Sequence, residues 1–128
     1  MQNIDACVFD AYGTSFDAAS AAAYCKDDLG ENATALSILW HTKELEYTWT
    51  RSLMNEYVEF WKITGDELDY ALETLGLDGD PTQRDKLLNM YMELDCFPEI
   101  PNLIKVLNAG GLKFAILSNR STKMLNAA

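Results

Sequence analysis

The stretch that decides the fold is VFDAYGT, residues 8–14. It completes an apolar run from Ala6 to Phe9 that has the length and composition of a short buried strand, and Gly13 can turn the chain where other residues cannot. Asp10 is therefore predicted at the carboxyl end of a core strand, where open α/β sheets place their ligand crevices. This position makes Asp10 a candidate nucleophile, although Asp and Gly after a strand are also ordinary turn residues.

A second apolar run predicts a partner for this strand. An apolar helix follows the Phe97–Pro101 linker and ends at Gly110-Gly111, and residues 112–117 form the second predicted strand. Strand, helix and strand in this order predict a parallel βαβ arrangement with a helical module inserted after the first strand. Asp10 and the pair Ser118-Asn119 are then expected to meet at one edge of the sheet.

The middle of the chain, residues 17–96, is predicted to be wholly helical. An alanine-rich helix covers residues 18–23, a long amphipathic helix, whole or broken once, runs from about residue 33 to 62, and another restarts at Gly65 and ends before Gly76. Pro81 opens a further helix that runs to about Leu94. We predict an α/β fold in which residues 1–16 and 97–128 form the first part of a Rossmann-like core and residues 17–96 a helical cap.

The long predicted helix carries a narrow polar stripe at 100° steps. Its members are Ser37, His41, Glu44, Thr48, Arg51, Asn55, Glu59 and Lys62. Leu39, Leu53, Tyr57 and Phe60 fall on the opposite side, so the periodicity places His41 outside the apolar core.

Composition limits the class of protein. The chain has 128 residues, of which 48% are hydrophobic and 23% charged, as in one soluble globular domain. Its net charge of −10 argues against a nucleic-acid partner. It has no apolar run near the roughly 20 residues of a membrane span, and residues 1–5 lack signal-peptide features. We therefore expect a cytoplasmic protein without a membrane partner.

Two further observations concern the cysteines and the end of the chain. The three cysteines, Cys7, Cys25 and Cys96, fit neither a disulfide framework nor a zinc site. Ser121 is the predicted N-cap of a last helix that starts at Thr122. Two core strands alone leave unpaired sheet edges, so we expect an N-terminal portion of a longer fold, or a chain completed by a C-terminal polypeptide.

Three stretches resemble one known family. FDAYGT at residues 9–14 is similar to the first motif of the haloacid dehalogenase superfamily, and specifically of its L-2-haloacid dehalogenase (type II) branch. LEYTW with RSLM at residues 45–54 and AILSN at residues 115–119 resemble further stretches of that branch, in the same order and spacing. The resemblance implies a Rossmann-like core with a helical cap, and catalysis without a metal or organic cofactor.

The resemblance also implies roles for individual residues. Asp10 would form an ester with a short L-2-haloacid, Thr14 would hydrogen-bond Asp10, and Ser118 and Asn119 would hold the substrate carboxylate. The remaining substrate-binding residues implied in this way are Ala11, Tyr12, Leu45 and Phe60, although simple helix packing also explains Leu45 and Phe60. The family's catalytic lysine and later polar groups fall beyond residue 128.

Tyr12 distinguishes between branches of the superfamily. Phosphatase relatives carry a second aspartate two positions after the nucleophile, where it acts as a general acid and helps to hold magnesium. Tyr12 occupies that position here. The aromatic residue favours carbon–halogen chemistry over phosphate transfer.

Two positions depart from the pattern of the branch. His41 stands where relatives usually have an arginine that receives the halide, and imidazole is shorter and lacks the permanent charge of guanidinium. We therefore expect His41 to give weak, altered or pH-dependent activity, unless it is only a solvated residue on a polar face. Arg120 replaces a common glycine beside Ser118-Asn119 and is expected near the pocket mouth.

Three functions stay open at this point. The first is hydrolysis of short L-2-haloacids to 2-hydroxy acids, with a small haloacid as ligand and a homodimer formed through the aromatic-rich residues 47–61. The second is a phosphatase-type hydrolase of the same superfamily, which would require magnesium. The third is a non-catalytic interaction module that binds a partner through the polar stripe.

Overall fold

The structure, a computed structural model, describes residues 4–127, so residues 1–3 and 128 of the predicted core segments lie outside it. The elements in chain order are β1 (Ala6–Phe9), α1 (Ser20–Tyr24), α2 (Lys26–Leu29), α3 (Asn32–Leu53), α4 (Phe60–Thr74), α5 (Pro81–Met92), α6 (Ile100–Ala109), β2 (Lys113–Ile116) and α7 (Thr122–Ala127). The chain is therefore mostly helical, with one small sheet in the described residues.

The two strands pair in parallel, as the sequence predicted. Ala6 lies opposite Lys113 and Phe9 opposite Ile116, and the N–H of Leu117 donates to the carbonyl of Phe9 at 2.9 Å. A parallel pair requires a crossover connection, and here helices α1 to α6 provide it. The carboxyl ends of β1 and β2 consequently lie side by side.

The prediction that these strands are buried was wrong for the described residues. Val8 is 62% exposed, and every residue of β2 is exposed. Parallel strands become buried when helices cover both faces of the sheet. Helix α6 has no buried residue, and an apolar cavity of about 330 Å³ is lined by Leu103 and Ile104 of α6 and by Phe114 and Ile116.

The core lies among the helices. Leu36 and Trp40 of α3, Leu68 of α4 and Leu87 of α5 are fully or almost fully buried there. The indole Nε1 of Trp40 donates to the carbonyl of Thr64 at 3.0 Å, which joins α3 to α4. Tyr12 and Met124, from the segments beside the strands, complete the same core.

The long amphipathic helix is broken at a point that carries no strong sequence signal. Helix α3 ends at Leu53, Asn55 adopts a left-handed conformation with φ of 57°, and α4 begins at Phe60. Gly65, the predicted restart, lies inside α4. Leu53 and Tyr57 are both 89% exposed, so the predicted apolar side was wrong at these two positions beside the break, whereas Phe60 is buried as predicted.

The local signals at other helix ends are confirmed. Gly76 has φ of 66° just after α4, and Pro81 is the first residue of α5, where Asp80 Oδ1 accepts from the N–H of Thr82 at 2.8 Å. Ser121 Oγ accepts from the N–H of Met124 at 3.3 Å at the start of α7. Across residues 4–127, every helix is too short or too polar to cross a lipid bilayer.

Candidate active site

A tight loop after β1 fixes the backbone around Asp10. The carbonyl of Ala11 accepts from the N–H groups of Ser15 at 2.7 Å and Phe16 at 2.9 Å. Gly13 has φ of 81°, a conformation that glycine adopts without strain. Ser15 Oγ also donates to the carbonyl of Asp10 at 2.9 Å. These bonds hold the Asp10 backbone at the tip of β1, beside the tip of β2.

An open cavity of about 540 Å³ lies at these strand tips. Seven residues predicted from the sequence line it: Asp10, Tyr12, His41, Leu45, Phe60, Ser118 and Asn119. The other lining residues are Glu44, Thr48, Trp49, Leu117 and Arg120. The topology thus brings residues from both strand tips and from α3 and α4 around one space.

Two predicted site residues lie outside the cavity wall. Thr14 Oγ1 is 3.5 Å from Asp10 Oδ2, at the long end of hydrogen-bond distances. Ala11 is fully buried beneath the loop. Asp10 itself is solvent-exposed at the open side of the cavity. The roles of these residues in catalysis and substrate binding remain predictions.

The polar stripe of α3 faces cavities. His41 is exposed and therefore lies outside the apolar core, as predicted, and it shares the Asp10 cavity with Glu44 and Thr48. Arg51 lines a neighbouring cavity of about 320 Å³, and its Nη2 pairs with Asp66 at 3.2 Å. Polar residues therefore recur along α3 because this side of the helix lines cavities as well as facing solvent.

A buried ionic cluster forms one wall of the Asp10 cavity. Arg120, expected at the pocket mouth, is only 8% exposed, and its Nη2 donates to the Glu44 carboxylate and, at 3.2 Å, to the hydroxyl of Tyr91. The Tyr91 hydroxyl in turn donates to the other oxygen of Glu44. The Arg120 guanidinium carbon lies 3.5 Å from the ring centre of Phe60 and 4.2 Å from that of Tyr12. Arg120 therefore joins the segment after β2 to α3 and α5.

Burial controls the protonation of the acidic groups in and beside this cluster. Burial raises the pKa of Glu67 to about 9, with a further contribution from the negative charge of Glu44. Glu67 is fully buried and neither of its oxygens has a hydrogen-bond partner. Burial also raises the pKa of Tyr91 well above its usual value, and that of Tyr12. Both phenols and the Glu67 carboxyl are therefore neutral at pH 7.

Three buried residues in or beside this cluster were not predicted from the sequence. Glu44 was assigned to the polar stripe, yet it is 5% exposed. The signal was present, since the buried positions of α3, namely Ala33, Leu36, Trp40 and Glu44, follow one another at three- and four-residue steps. Tyr91 and Glu67 occupy the buried faces of α5 and α4 and carried no motif.

Within 4–127, no three His, Cys, Asp or Glu side chains are grouped so that they could hold a metal ion. The three cysteines are free thiols, and Cys25 is buried.

Comparison with known proteins identifies the family. The sequence model of haloacid dehalogenase-like hydrolases matches residues 4–128. The chain belongs to this family. Among curated members, it is 42% identical to (S)-2-haloacid dehalogenase 4A of Burkholderia cepacia over 128 residues, which are all of this chain and 55% of that protein. It is 44% identical to (S)-2-haloacid dehalogenase 1 of Pseudomonas sp. (strain CBS-3), covering 56% of that protein.

Solved structures of haloacid dehalogenase-like hydrolases have the same fold. A dehalogenase crystal structure superposes with a TM-score of 0.95 at 42% identity, over all of this chain and 57% of its own. The L-2-haloacid dehalogenase of Xanthobacter autotrophicus with chloropropionic acid covalently bound superposes with a TM-score of 0.86 at 38% identity, over 98% of this chain and 50% of that one. The chain thus spans about half the length of the relatives it matches.

Proposed function

We propose that the full-length protein hydrolyses short L-2-haloacids to 2-hydroxy acids and that this chain supplies the nucleophile, Asp10. The convergence of Asp10 and the Ser118-Asn119 pair on one cavity carries this proposal. The covalently bound chloropropionic acid in a structural relative supports the same chemistry.

The proposed reaction has two steps. In the first, an Asp10 carboxylate oxygen attacks the halogen-bearing carbon from the side opposite the halide, a carbon–oxygen bond forms, and the halide leaves with the bonding electron pair. In the second, water attacks the carboxyl carbon of the Asp10 ester and the bond from that carbon to the substrate oxygen breaks. The 2-hydroxy acid leaves with the original aspartate oxygen and one water proton, the other proton is released, and the Asp10 carboxylate is restored. The configuration at the substrate carbon is inverted overall.

The neighbouring residues suit the first step. Thr14 lies close enough to orient the Asp10 carboxylate, and the Ser118 hydroxyl and the N–H groups beside it supply donors for the substrate carboxylate. Leu45 and Phe60 provide apolar walls for the short carbon chain, with Ala11 packed behind the loop. His41 faces the same space and is proposed to contact the leaving halide.

Tyr12 supports this reaction over phosphate transfer. A phosphatase of this superfamily needs a carboxylic acid at that position to protonate its leaving group. The Tyr12 side chain is 8% exposed, and its ring packs on Arg120. A halide leaves as an anion and needs no proton, so a buried phenol is compatible with dehalogenation.

We further propose that residues 17–96 form a cap over a Rossmann-like core that begins with residues 1–16 and 97–128. The two ends of the helical segment support this division because they lie together. The N–H of Asp17 donates to the carbonyl of Asp95 at 2.8 Å, and the N–H of Phe97 donates to that of Ser15 at 3.0 Å. A segment whose ends meet can be inserted into a fold without separating the strands it interrupts.

Isotope labelling tests the ester mechanism in the full-length protein. With enzyme in excess over L-2-chloropropionate, a single turnover in water enriched in heavy oxygen should label the peptide that contains Asp10 and leave the lactate unlabelled. Mass spectrometry of both products measures the label. Heavy oxygen in the first-turnover lactate would contradict the proposal, because water would then have attacked the substrate carbon directly. The D-enantiomer provides the control substrate.

We also propose a cytoplasmic homodimer formed through residues 47–61. Trp49, Leu53, Met54 and Tyr57 are each more than half exposed, which is unusual for adjacent large apolar side chains. Leu53→Glu should therefore convert a dimer into a monomer in analytical ultracentrifugation, whereas Glu73→Gln on α4 should not. A parent protein that sediments as a monomer would contradict the proposed dimer. Recovery of the protein outside the cytoplasmic fraction of cells would contradict the proposed location.

A further inference from the structure

Arg120 lines the Asp10 cavity, and its guanidinium has one buried donor without a partner. We propose that Arg120 binds the anionic group of the ligand in this cavity and is the residue that gives the cavity its affinity for carboxylates and halides. The inference rests on the proposed function for the identity of the ligand, a short carboxylate.

The hydrogen bonds of Arg120 leave one side of the guanidinium without an acceptor. Nη2 is occupied by Glu44 and Tyr91, whereas Nη1 is buried and has no partner. A buried cationic N–H group without an acceptor is costly. A carboxylate oxygen or halide in the adjoining cavity would supply that acceptor.

Aromatic rings hold the guanidinium in place. Phe60 and Tyr12, whose rings lie 3.5 Å and 4.2 Å from the guanidinium carbon, also line the cavity. Stacking on these rings restricts the side chain before any ligand arrives, so little rotamer freedom is lost on binding. A fixed planar fork of donors matches the geometry of a carboxylate.

Because the surrounding charges are negative, the cavity needs a cation to bind an anion. The protein carries a net charge of −10, and Asp10 and Glu44 lie in the cavity wall, so an anionic ligand is repelled on approach. Among the cavity-lining residues within 4–127, Arg120 is the one with a permanent positive charge. Attraction of an anion therefore depends on Arg120.

Glu44 competes with the ligand for this cation. Its carboxylate already pairs with Nη2, and the paired charges reduce the field that a second anion experiences. Glu67 adds no second negative charge at neutral pH because burial raises its pKa to about 9. Removal of the Glu44 charge should consequently strengthen anion binding, an effect that a purely structural ion pair would not produce.

Binding of propionate and chloride tests the inference without requiring turnover. The full-length protein carrying Asp10→Asn is titrated with each anion, and dissociation constants are measured by calorimetry. We expect Arg120→Gln to weaken propionate binding roughly tenfold or more, which corresponds to loss of a hydrogen bond to a charged group. Glu44→Gln should tighten it severalfold, and Arg84→Gln, which removes a guanidinium paired with Asp69 away from the cavity, should leave it unchanged.

The outcomes separate this inference from the proposed function. Unchanged propionate binding in a folded Arg120→Gln protein overturns the inference about Arg120. Failure of the Asp10→Asn parent to bind either anion overturns it as well. If circular dichroism shows that Arg120→Gln does not fold, the Glu44→Gln variant provides the test. Unchanged or weaker propionate binding by Glu44→Gln overturns the inference, and tighter binding supports it. Absence of chloride release from 2-chloropropionate by the wild-type protein instead contradicts the dehalogenase proposal and leaves the binding result intact.

Discussion

Asp10→Asn is expected to reduce chloride release from L-2-chloropropionate by roughly 10⁴-fold or more in the full-length protein, a loss typical of removing a nucleophile. The amide nitrogen and oxygen of asparagine are poor nucleophiles toward carbon, so no ester forms. The substitution changes few contacts, because Asp10 is exposed and its one side-chain partner is Thr14 at 3.5 Å. Initial rates measured with a chloride electrode give the effect.

The matched control is Asp5→Asn, which removes a carboxylate just before the opposite end of β1. Asp5 is exposed and outside the cavity, so the chloride-release rate of this variant should equal that of the wild-type protein. Full chloride release by a folded Asp10→Asn protein would show that another group attacks the substrate, and the ester mechanism would have to be abandoned.

The second large effect concerns stability and Glu67. In the unfolded chain Glu67 ionises near pH 4.5, whereas in the folded protein its pKa is about 9. The folded state therefore binds one more proton than the unfolded state between these values, and stability should fall as pH rises through this window. The slope is about 1.4 kcal/mol per pH unit, or roughly 4 kcal/mol between pH 5 and pH 8.

Glu67→Gln removes this dependence because the amide stays neutral. We expect the variant to be less stable than wild type at pH 5 by at most a small amount, and more stable at pH 8 by several kcal/mol. Urea unfolding followed by circular dichroism at a series of pH values measures the difference. Glu73→Gln, an exposed position on the same helix, should keep the wild-type profile. If the stability of wild type and of Glu67→Gln changes with pH in the same way, Glu67 is not the source of the pH dependence.

The elements that sequence predicted well are those fixed by local chemistry. Gly76 and Pro81 mark helix ends through their own backbone preferences, and both ends lie where expected. The meeting of Asp10 with Ser118-Asn119 also followed from the sequence, because parallel strands joined by a crossover place their carboxyl ends at one edge. Most of the candidate cavity could therefore be named before the structure was known.

The features that sequence missed depend on contacts between distant residues. The break between α3 and α4 contains no glycine or proline, and its polar residues continue the helical pattern, so periodicity did not reveal it. Glu44 and Arg120 are buried because each neutralises the other across 76 positions of sequence. A charged residue considered alone is expected on the surface, and only the fold shows that the two meet.

The buried ionic cluster around Arg120 has a consequence for how the Asp10 cavity forms during synthesis of the chain. The hydrogen bonds of Arg120 to Glu44 and Tyr91 span 76 and 29 residues, whereas helices α1 to α5 all end by Met92 and pack against one another. The growing chain can thus assemble α1 to α5 early, but Glu44 has no cation to neutralise it until residue 120 has left the ribosome. We expect a ribosome-bound chain that stops before Arg120 to hold a folded helical layer with a loosened Asp10 loop.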